Sequence, residues 1–429
     1  MSSASMAIRP ALALRPLHYF PFILIAGLPA FAALLMLPPQ ERIFVGLAQT
    51  LFALVPATLF FIFGDLAVRP SSTTHRPHPR LRASILLVLG WAIFSVFYVA
   101  QVPLWALFWT QFVVWGVLAA CIMRAAVERH GVDLVLLFLR ALLWSGPLYG
   151  AVLVLYYQLY GDVIPQEYTS LLPAFGNVRR AGHLLTLSAT AGAMLVALRL
   201  GGRWTVALTL LAATIAFWAG ARGTIVVLVT ALPFTLLVSG QLQIRTLMRL
   251  MAALLIAAAL SLLIPTPNTN FGLVNMLASL PGLESILTGA ASTPSLDTLS
   301  SNRMGMWQDA VANIQLRPLT GWGYAHAPFA AYEAPMLHLH NWPLELLLAW
   351  GLPMGGLACL LVLVYWFKAQ RRMGIEQAAA LGVLNVATAY SLISGTYFYG
   401  VPVILMSIAW GVTLARLPGA GPDRHTYMR

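Results

Sequence analysis

Charge is the scarcest property of this sequence. Only 9% of its 429 residues are charged, whereas a soluble domain carries about 25%. Hydrophobic residues make up 60% of the chain, and the mean hydropathy is +0.81. Apolar runs of about 18 residues or more recur along the chain, and this is the length that a helix needs to cross a bilayer. These features exclude a soluble globular protein and predict a polytopic membrane protein.

Cysteine and lysine are nearly absent as well, which excludes two further classes. Cys121 and Cys359 are the only cysteines and lie inside apolar stretches, so neither a disulfide framework nor a cysteine-based metal site is available. Lys368 is the only lysine, and its FKAQ setting is not a Walker A motif. An ATP-driven pump is therefore disfavoured.

Twelve apolar stretches are predicted to cross the membrane as helices, at roughly 20 residues per crossing. They start near Tyr19, Ile43, Ser84, Leu104, Leu134, Gly182, Trp204, Gly223, Leu250, Pro343, Glu376 and Phe398. The first stretch is too long for the core of a signal peptide, so we expect it to be retained. The chain is expected to be a single all-α integral membrane domain, 1–429, in which 266–342 form one large outer loop.

The distribution of cations predicts the orientation of the chain. Loops on one side hold eighteen cationic side chains and loops on the other hold six. Because cationic residues collect on the cytoplasmic side, both termini are predicted to be cytoplasmic. The net charge of +12 then reflects proximity to anionic membrane lipids, and no nucleic-acid partner is expected.

The large outer loop contains a predicted amphipathic helix. Its apolar residues recur at positions i, i+3, i+4 and i+7. They are Trp307, Ala310, Val311 and Ile314. Pro318 and the glycines at 321 and 323 follow this pattern and are expected to end the helix.

Arginines on the outer side call for an explanation, because cations are depleted there. Arg222 lies in GARGT between two spans with almost no loop, so its guanidinium is expected at the outer membrane boundary. Arg303 opens the amphipathic helix, where the helix dipole disfavours a cation, and Arg179 and Arg180 precede the sixth span. Bidentate binding of a lipid diphosphate would explain the set. Interfacial snorkelling or a structural salt bridge is the alternative for each.

Two histidines, an asparagine and a glutamate occur together in HLHNWPLELLLAWG, 338–351. Asn341 is placed to cap the helix that begins near Pro343. His340 then stands just outside a helix N-terminus, whose positive dipole favours the neutral imidazole that can accept a proton. Hydrogen bonding to the loop backbone is the alternative, and no companion ligands support a metal site with His338. Glu345 could orient an imidazole, bind an acceptor sugar or merely complement the dipole.

Several of these segments resemble the O-antigen ligase and O-antigen polymerase superfamily. HNWPLELLLAWG, 340–351, is similar to its signature of His, Asn, nine residues and Gly. RMGMWQDAVANIQLRPLTGWG, 303–323, resembles its stretch of an arginine, a tryptophan, a proline and paired glycines. ARG at 221–223 resembles its Ser-Arg-Gly motif with alanine for serine, and FGN at 175–177 resembles a weaker element. The sequence departs from the family at GLPMG, which has one residue more than the usual Gly-x-x-Gly.

The resemblance implies a GT-C-like glycosyltransferase of the Gram-negative inner membrane whose active site faces the periplasm. The donor would be O-antigen polysaccharide on undecaprenyl diphosphate, the acceptor a sugar hydroxyl of lipid A-core during lipopolysaccharide assembly, and no metal or other cofactor would be needed. One histidine would act as general base, four arginines would bind the donor diphosphate, and two residues would orient the base or bind the acceptor. The general base would be His340 or His338. The diphosphate-binding arginines would be Arg222, Arg303, Arg180 and Arg179, and the orienting or acceptor-binding residues would be Asn341 and Glu345.

Several alternatives to an O-antigen ligase remain open. The position and length of the outer loop and its HxHN ending favour the ligase over an O-antigen polymerase or a protein O-oligosaccharyltransferase of the same superfamily. A transporter or flippase for lipid-linked glycans is the alternative from another class. Such carriers usually bury ionisable groups near the membrane midplane, often within repeated halves. Here only Arg140 intrudes into a span, and no repeat is evident.

Overall fold

The computed structural model describes residues 14–36, 47–68, 79–100, 103–160, 173–175, 178–266, 272–274, 303–323, 339–371, 373–394 and 399–417. Within these ranges the chain forms helices and no strands. The helices are α1 (Phe20–Leu34), α2 (Leu47–Leu51), α3 (Leu54–Val68), α4 (Pro79–Tyr98), α5 (Pro103–His130), α6 (Val132–Tyr160), α7 (Val178–Ala197), α8 (Arg203–Trp218), α9 (Arg222–Val238), α10 (Ile244–Ser261), α11 (Arg303–Leu316), α12 (Trp342–Ala369), α13 (Ile375–Ser394) and α14 (Gly400–Leu414).

These helices confirm an all-α polytopic membrane protein. A helix lies in each of the twelve predicted spans, although α10 begins at Ile244, six residues before the predicted Leu250. Among the described residues, seven helices are long and apolar enough to cross a membrane, and four more apolar helices are shorter.

Helix α7 lies at the centre of the bundle, packed against α6, α8, α9, α10, α13 and α14. Every residue in 181–195 is buried. Two of its hydroxyl groups bond to other helices: Thr186 Oγ1 lies 2.8 Å from Thr224 Oγ1, and Ser188 Oγ donates to the Leu143 carbonyl at 2.8 Å. A helix surrounded by protein need not be strongly apolar, so α7 can carry polar residues that a lipid-facing helix would exclude.

Helix α11 confirms the amphipathic helix predicted in the outer loop, but its buried face differs from the predicted one. Ala310 and Ile314 are buried as expected, whereas Val311 is 45% exposed and Met306 is buried instead. The buried face packs in a small second core with Leu339 and Leu348. Contact with α12, not the full apolar stripe, therefore determines which side faces inward.

Helix α12 begins at Trp342, close to the predicted start at Pro343, but it is broken at Gly351, where φ is 74° and ψ is 176°. Beyond the break the chain folds back, so that Cys359 Sγ lies 3.9 Å from the Pro343 carbonyl oxygen. Sixteen residues of straight helix would separate these two positions by about 24 Å. We call 342–350 the outer arm and 352–369 the crossing arm. The stretch Trp342–Ala369 is a candidate membrane span that begins close to the predicted Pro343, and the sequence did not predict its division into two arms at Gly351.

The segment that follows α11 closes this break. The N–H groups of Trp322 and Gly323 donate to the carbonyls of Leu348 and Ala349, each at 2.9 Å. A broken helix leaves such carbonyls without intrahelical partners, so these bonds stabilise the end of the outer arm. The stretch of paired glycines and the region around GLPMG thereby form one structural unit.

Replacing Gly351 with alanine is expected to destabilise this unit. A Cβ atom at Gly351 would lie 2.6 Å from the backbone of Leu319, and the positive φ is itself unfavourable for alanine. We expect a loss of about 1–3 kcal/mol in the free energy of unfolding, measured as a lower thermal midpoint of the detergent-purified protein. Gly356→Ala is the matched control, because a Cβ there has no neighbour within 4 Å. Equal midpoints for the two variants would contradict the assigned role of the break.

Candidate active site

Two hydrogen bonds on the preceding residue, Leu339, hold the backbone at His340, and we call this pair of bonds the clamp. Leu339 is fully buried. Its N–H donates to Glu345 Oε2 at 2.8 Å, and its carbonyl accepts from Trp307 Nε1 at 2.9 Å. His340 itself adopts the left-handed conformation with φ of 56°, which is uncommon outside glycine. The clamp and the second core fix the backbone from which the imidazole projects.

Asn341 caps the outer arm, as the sequence predicted. Its Oδ1 accepts from the Leu344 N–H at 3.2 Å, and its own backbone is extended. Glu345 is buried, and its carboxylate accepts from the backbone of Leu339. This contact gives Glu345 an orienting position relative to His340 through the chain, rather than a position exposed to an incoming sugar.

A second histidine lies within electrostatic range of His340. His183, in α7, is 2% exposed and is close enough to His340 for their charges to interact. Its Nε2 lies 3.3 Å from Ser394 Oγ at the end of α13. The ring also packs against two tyrosines, with centroid distances of 4.4 Å to Tyr390 and 5.4 Å to Tyr399. The imidazole of α7 is therefore enclosed by α13 and the start of α14.

Arg180 lies one turn before His183 on α7. Its guanidinium carbon is 5.2 Å from the centroid of the Tyr399 ring, and its Nε is buried. A guanidinium over an aromatic face retains its charge and is stabilised by the ring quadrupole. Arg180 thus brings a positive charge to the same tyrosine that His183 contacts.

Arg303, the first residue of α11, reaches the bundle from the outer loop. Its Nη1 donates a hydrogen bond to the carbonyl of Ile393 in the last turn of α13. The next residue, Ser394, contacts His183. The guanidinium from the outer loop and the imidazole from α7 therefore meet at one end of α13.

Arg222 is the first residue of α9, and its side chain lies outside the described part of the structure. Its backbone can be placed. A Cβ atom at Gly223 would lie 3.1 Å from Tyr390 Cζ, and one at Gly182 would lie 3.0 Å from Ala221 Cβ. The start of α9 therefore abuts both α7 and Tyr390. The other two predicted site residues, His338 and the side chain of Arg179, also lie outside the described residues.

These contacts bring together residues from five parts of the chain. Arg180 and Arg303 meet around His183 and the end of α13, His340 lies within electrostatic range of His183, and the backbone of Arg222 adjoins the same region. The guanidinium groups of Arg180 and Arg303 can bind an anionic ligand. The imidazoles of His183 and His340 can supply a proton acceptor in the same region. This is an arrangement suited to removing a proton from one group while negative charge develops on another.

Sequence reasoning missed His183, Tyr390, Ser394 and Tyr399. A signal existed for His183, because it follows Arg180 by three residues and so lies on the same helix face, and because an ionisable residue within a span is a functional candidate by default. The two tyrosines gave no such signal, because aromatic residues at span ends are common as interface anchors.

Comparisons with known proteins bear on this region. No curated protein matches the chain. Residues 207–361 match a protein-family model described as O-antigen ligase. The matched segment includes Arg222, Arg303 and His340, whereas Arg180 and His183 precede it. The match spans 155 of the 429 residues and supports membership in the O-antigen ligase/polymerase superfamily.

Proposed function

We propose that this protein is an O-antigen ligase of the Gram-negative inner membrane. It moves O-antigen polysaccharide from undecaprenyl diphosphate to a sugar hydroxyl of lipid A-core, on the periplasmic side, with both termini in the cytoplasm. The observation that carries the proposal is that Arg180, Arg303 and His183 converge at one end of α13, with His340 within electrostatic range of His183. The superfamily match supplies the class of substrate, a lipid-linked polysaccharide.

In the proposed reaction the acceptor hydroxyl attacks the anomeric carbon of the donor sugar. The bond from that carbon to the diphosphate oxygen breaks, and undecaprenyl diphosphate leaves with the electron pair. His340 takes the proton of the attacking hydroxyl, and the arginines stabilise the charge that develops on the diphosphate.

His183 and Glu345 complete the proposed site as positioning residues. Glu345 holds the Leu339 backbone, and His183 lies within electrostatic range of His340 with its own Nε2 directed to Ser394. A second protonated imidazole at this place would be repelled by its neighbour. We therefore propose that only one of the two imidazoles gains a proton during the reaction, and we assign that role to His340.

The experiment that tests the proposal is transfer by purified protein in vitro. Labelled O-antigen on undecaprenyl diphosphate is supplied with either lipid A-core or a second lipid-linked glycan as acceptor. Labelled lipopolysaccharide is the expected product. Elongated lipid-linked glycan instead would identify a polymerase, transfer to protein serine or threonine an O-oligosaccharyltransferase, and movement of unaltered donor across the bilayer a flippase.

Chelation is expected to leave the transfer rate unchanged. The proposed chemistry assigns charge neutralisation to guanidinium groups, which can perform the role of a divalent cation at a diphosphate. The rate should therefore be the same with EDTA and with added Mg²⁺, measured on protein purified through a chelating step. A reaction that stops with EDTA and restarts with Mg²⁺ would contradict the assignment.

A further inference from the structure

Cationic side chains lie together at the end of the bundle opposite the candidate active site. Helix α13 connects the two ends, because it starts at Ile375 near these cations and its last residue, Ser394, contacts His183. Its length of about 30 Å is that of a bilayer core. The cations belong to α5, to the end of α12 and to the residues that directly follow α12 and α14. They are Arg124, Lys368, Arg371 and Arg416. We call this set the basic cluster.

One carboxylate, that of Glu128, contacts the basic cluster. Its Oε1 accepts from Arg124 Nε at 2.9 Å and from the backbone N–H of Arg416 at 3.4 Å. Arg371 Nη2 donates to two backbone carbonyls at the end of α14, at 3.2 and 3.3 Å, the second of which belongs to the residue before Arg416. These bonds hold the side chains of Arg124 and Arg371 against the same end of α14.

Lys368 joins the basic cluster through an aromatic ring. Its Nζ lies 5.4 Å from the centroid of the Tyr365 ring, and Tyr365 is within electrostatic range of Arg124. Burial lowers the pKa of Arg371 from its ordinary value, and the charges of Arg416 and Arg124 lower it further. Like charges disfavour the protonated form in this way, yet a guanidinium stays charged in proteins. The three arginines therefore repel one another.

The charge of the basic cluster is not balanced by the described part of the chain. Of the four cations, only Arg124 forms an ion pair there, with Glu128. Four cations against this one carboxylate leave a net charge of +3. Capping of the α14 carbonyls explains one arginine, but Lys368 and Arg416 are exposed and have no such role among the described residues. A concentrated positive field of this kind attracts an anion.

The surface beside the basic cluster is apolar. Phe367, the neighbour of Lys368, is 64% exposed. Leu363 and Leu360 lie about one and two turns earlier on the same face of the crossing arm and are 43% and 56% exposed. A phospholipid matches both features, because its phosphate can meet the cations while an acyl chain follows these side chains. A soluble phosphate would use only the cations.

We propose that the basic cluster binds an anionic phospholipid in the leaflet opposite the candidate active site. The phosphate accepts from the arginines, which can bind its oxygens bidentately, and from the ammonium group of Lys368. Basic sites between membrane helices on the cytoplasmic side, where this cluster is predicted to lie, suit such headgroups. The bound lipid offsets the repulsion among the arginines and so stabilises the junction of α5, α12 and α14.

The test measures which lipid stands next to the basic cluster. Cys121 is exposed and lies three residues before Arg124 on α5. A Cys359→Ser background leaves it as the only cysteine, so that it can carry a fluorophore. The labelled protein is placed in phosphatidylcholine bilayers that contain the same small fraction of either phosphatidylglycerol or phosphatidylcholine with brominated acyl chains. Bromine quenches a nearby fluorophore, so the ratio of the two quenching efficiencies reports the lipid preference at this site.

Two double variants separate the basic cluster from general charge. Lys368→Gln with Arg416→Gln removes the two exposed cations that make no ion pair in the described structure. Arg203→Gln with Arg245→Gln is the matched control. It removes two exposed cations from the same predicted side, at the starts of α8 and α10, outside the cluster.

We expect the wild-type protein to prefer phosphatidylglycerol by about tenfold and the cluster variant to lose most of this preference, because each cation near a membrane surface contributes about fivefold. The control variant should keep it. Equal quenching by the two lipids in the wild-type protein would overturn the proposal, and this comparison needs no variant. An equal loss in both double variants would also overturn it, as an effect of net charge. Loss of the preference on adding millimolar inorganic phosphate at constant ionic strength would assign the site to soluble phosphate instead.

Discussion

Transfer by a His340→Ala variant is expected to fall by a factor of about 10² to 10⁴, the usual contribution of a general base. The loss should appear in kcat, because the hydroxyl must still be deprotonated after both substrates have bound. Binding of the lipid-linked donor should be nearly unchanged, because the diphosphate contacts are assigned to the arginines. The measurement is single-turnover transfer with saturating donor, together with a separate donor-binding assay.

The left-handed backbone of His340 requires a second variant, because alanine is strained at a φ of 56°. Asparagine tolerates this region better and cannot act as a base near neutral pH, so His340→Asn should fold normally and remain inactive. His18→Ala is the control: His18 packs against His130, at a centroid distance of 4.8 Å, away from the candidate site. Transfer at the wild-type rate by His340→Asn would remove His340 from the base role.

Arg303→Ala and Arg222→Ala are each expected to lower kcat/KM by about 10²- to 10³-fold, as for removal of one group that stabilises developing charge. Lysine at either position should restore activity only in part, since an ammonium group cannot make the bidentate contact of a guanidinium with phosphate. The measurement is the initial transfer rate at several donor concentrations.

A structural contribution of Arg303 can be separated from a catalytic one. Arg303 also bonds to the Ile393 carbonyl, so alanine could loosen α11 from α13. Arg317→Ala is the matched control at the other end of this segment, where the guanidinium carbon lies 4.0 Å from the centroid of the Trp322 ring. Full rescue by lysine, or an equal loss in Arg317→Ala, would count against phosphate binding by Arg303.

Local features were predictable from the sequence because their causes are local. The cap by Asn341 follows from an asparagine placed before Trp-Pro, and α11 follows from its apolar period. The buried face of α11 was misplaced because it depends on Leu339 and Leu348, which are distant in sequence. Periodicity identifies a helix but does not specify which neighbours it meets.

The fold-back of α12 was not predictable for a different reason. The stretch Trp342–Ala369 has a high mean hydropathy, and this value is the same whether such a chain crosses once or turns back on itself. The information lies in one backbone conformation at Gly351 and in the hydrogen bonds that Trp322 and Gly323 make to the outer arm. For the same reason the proximity of His183 to His340 depends on tertiary packing.

The sheltered position of α7 has a consequence for biogenesis. This helix brings Arg180 and His183 to the candidate site, and Val178–Ala197 is not among the helices apolar enough to be candidate spans by themselves. A segment with such residues partitions poorly into lipid when alone. The insertion of α7 into the bilayer should therefore depend on adjacent segments such as α6 and α8. These segments would shield Arg180 and His183 from lipid as the helix enters.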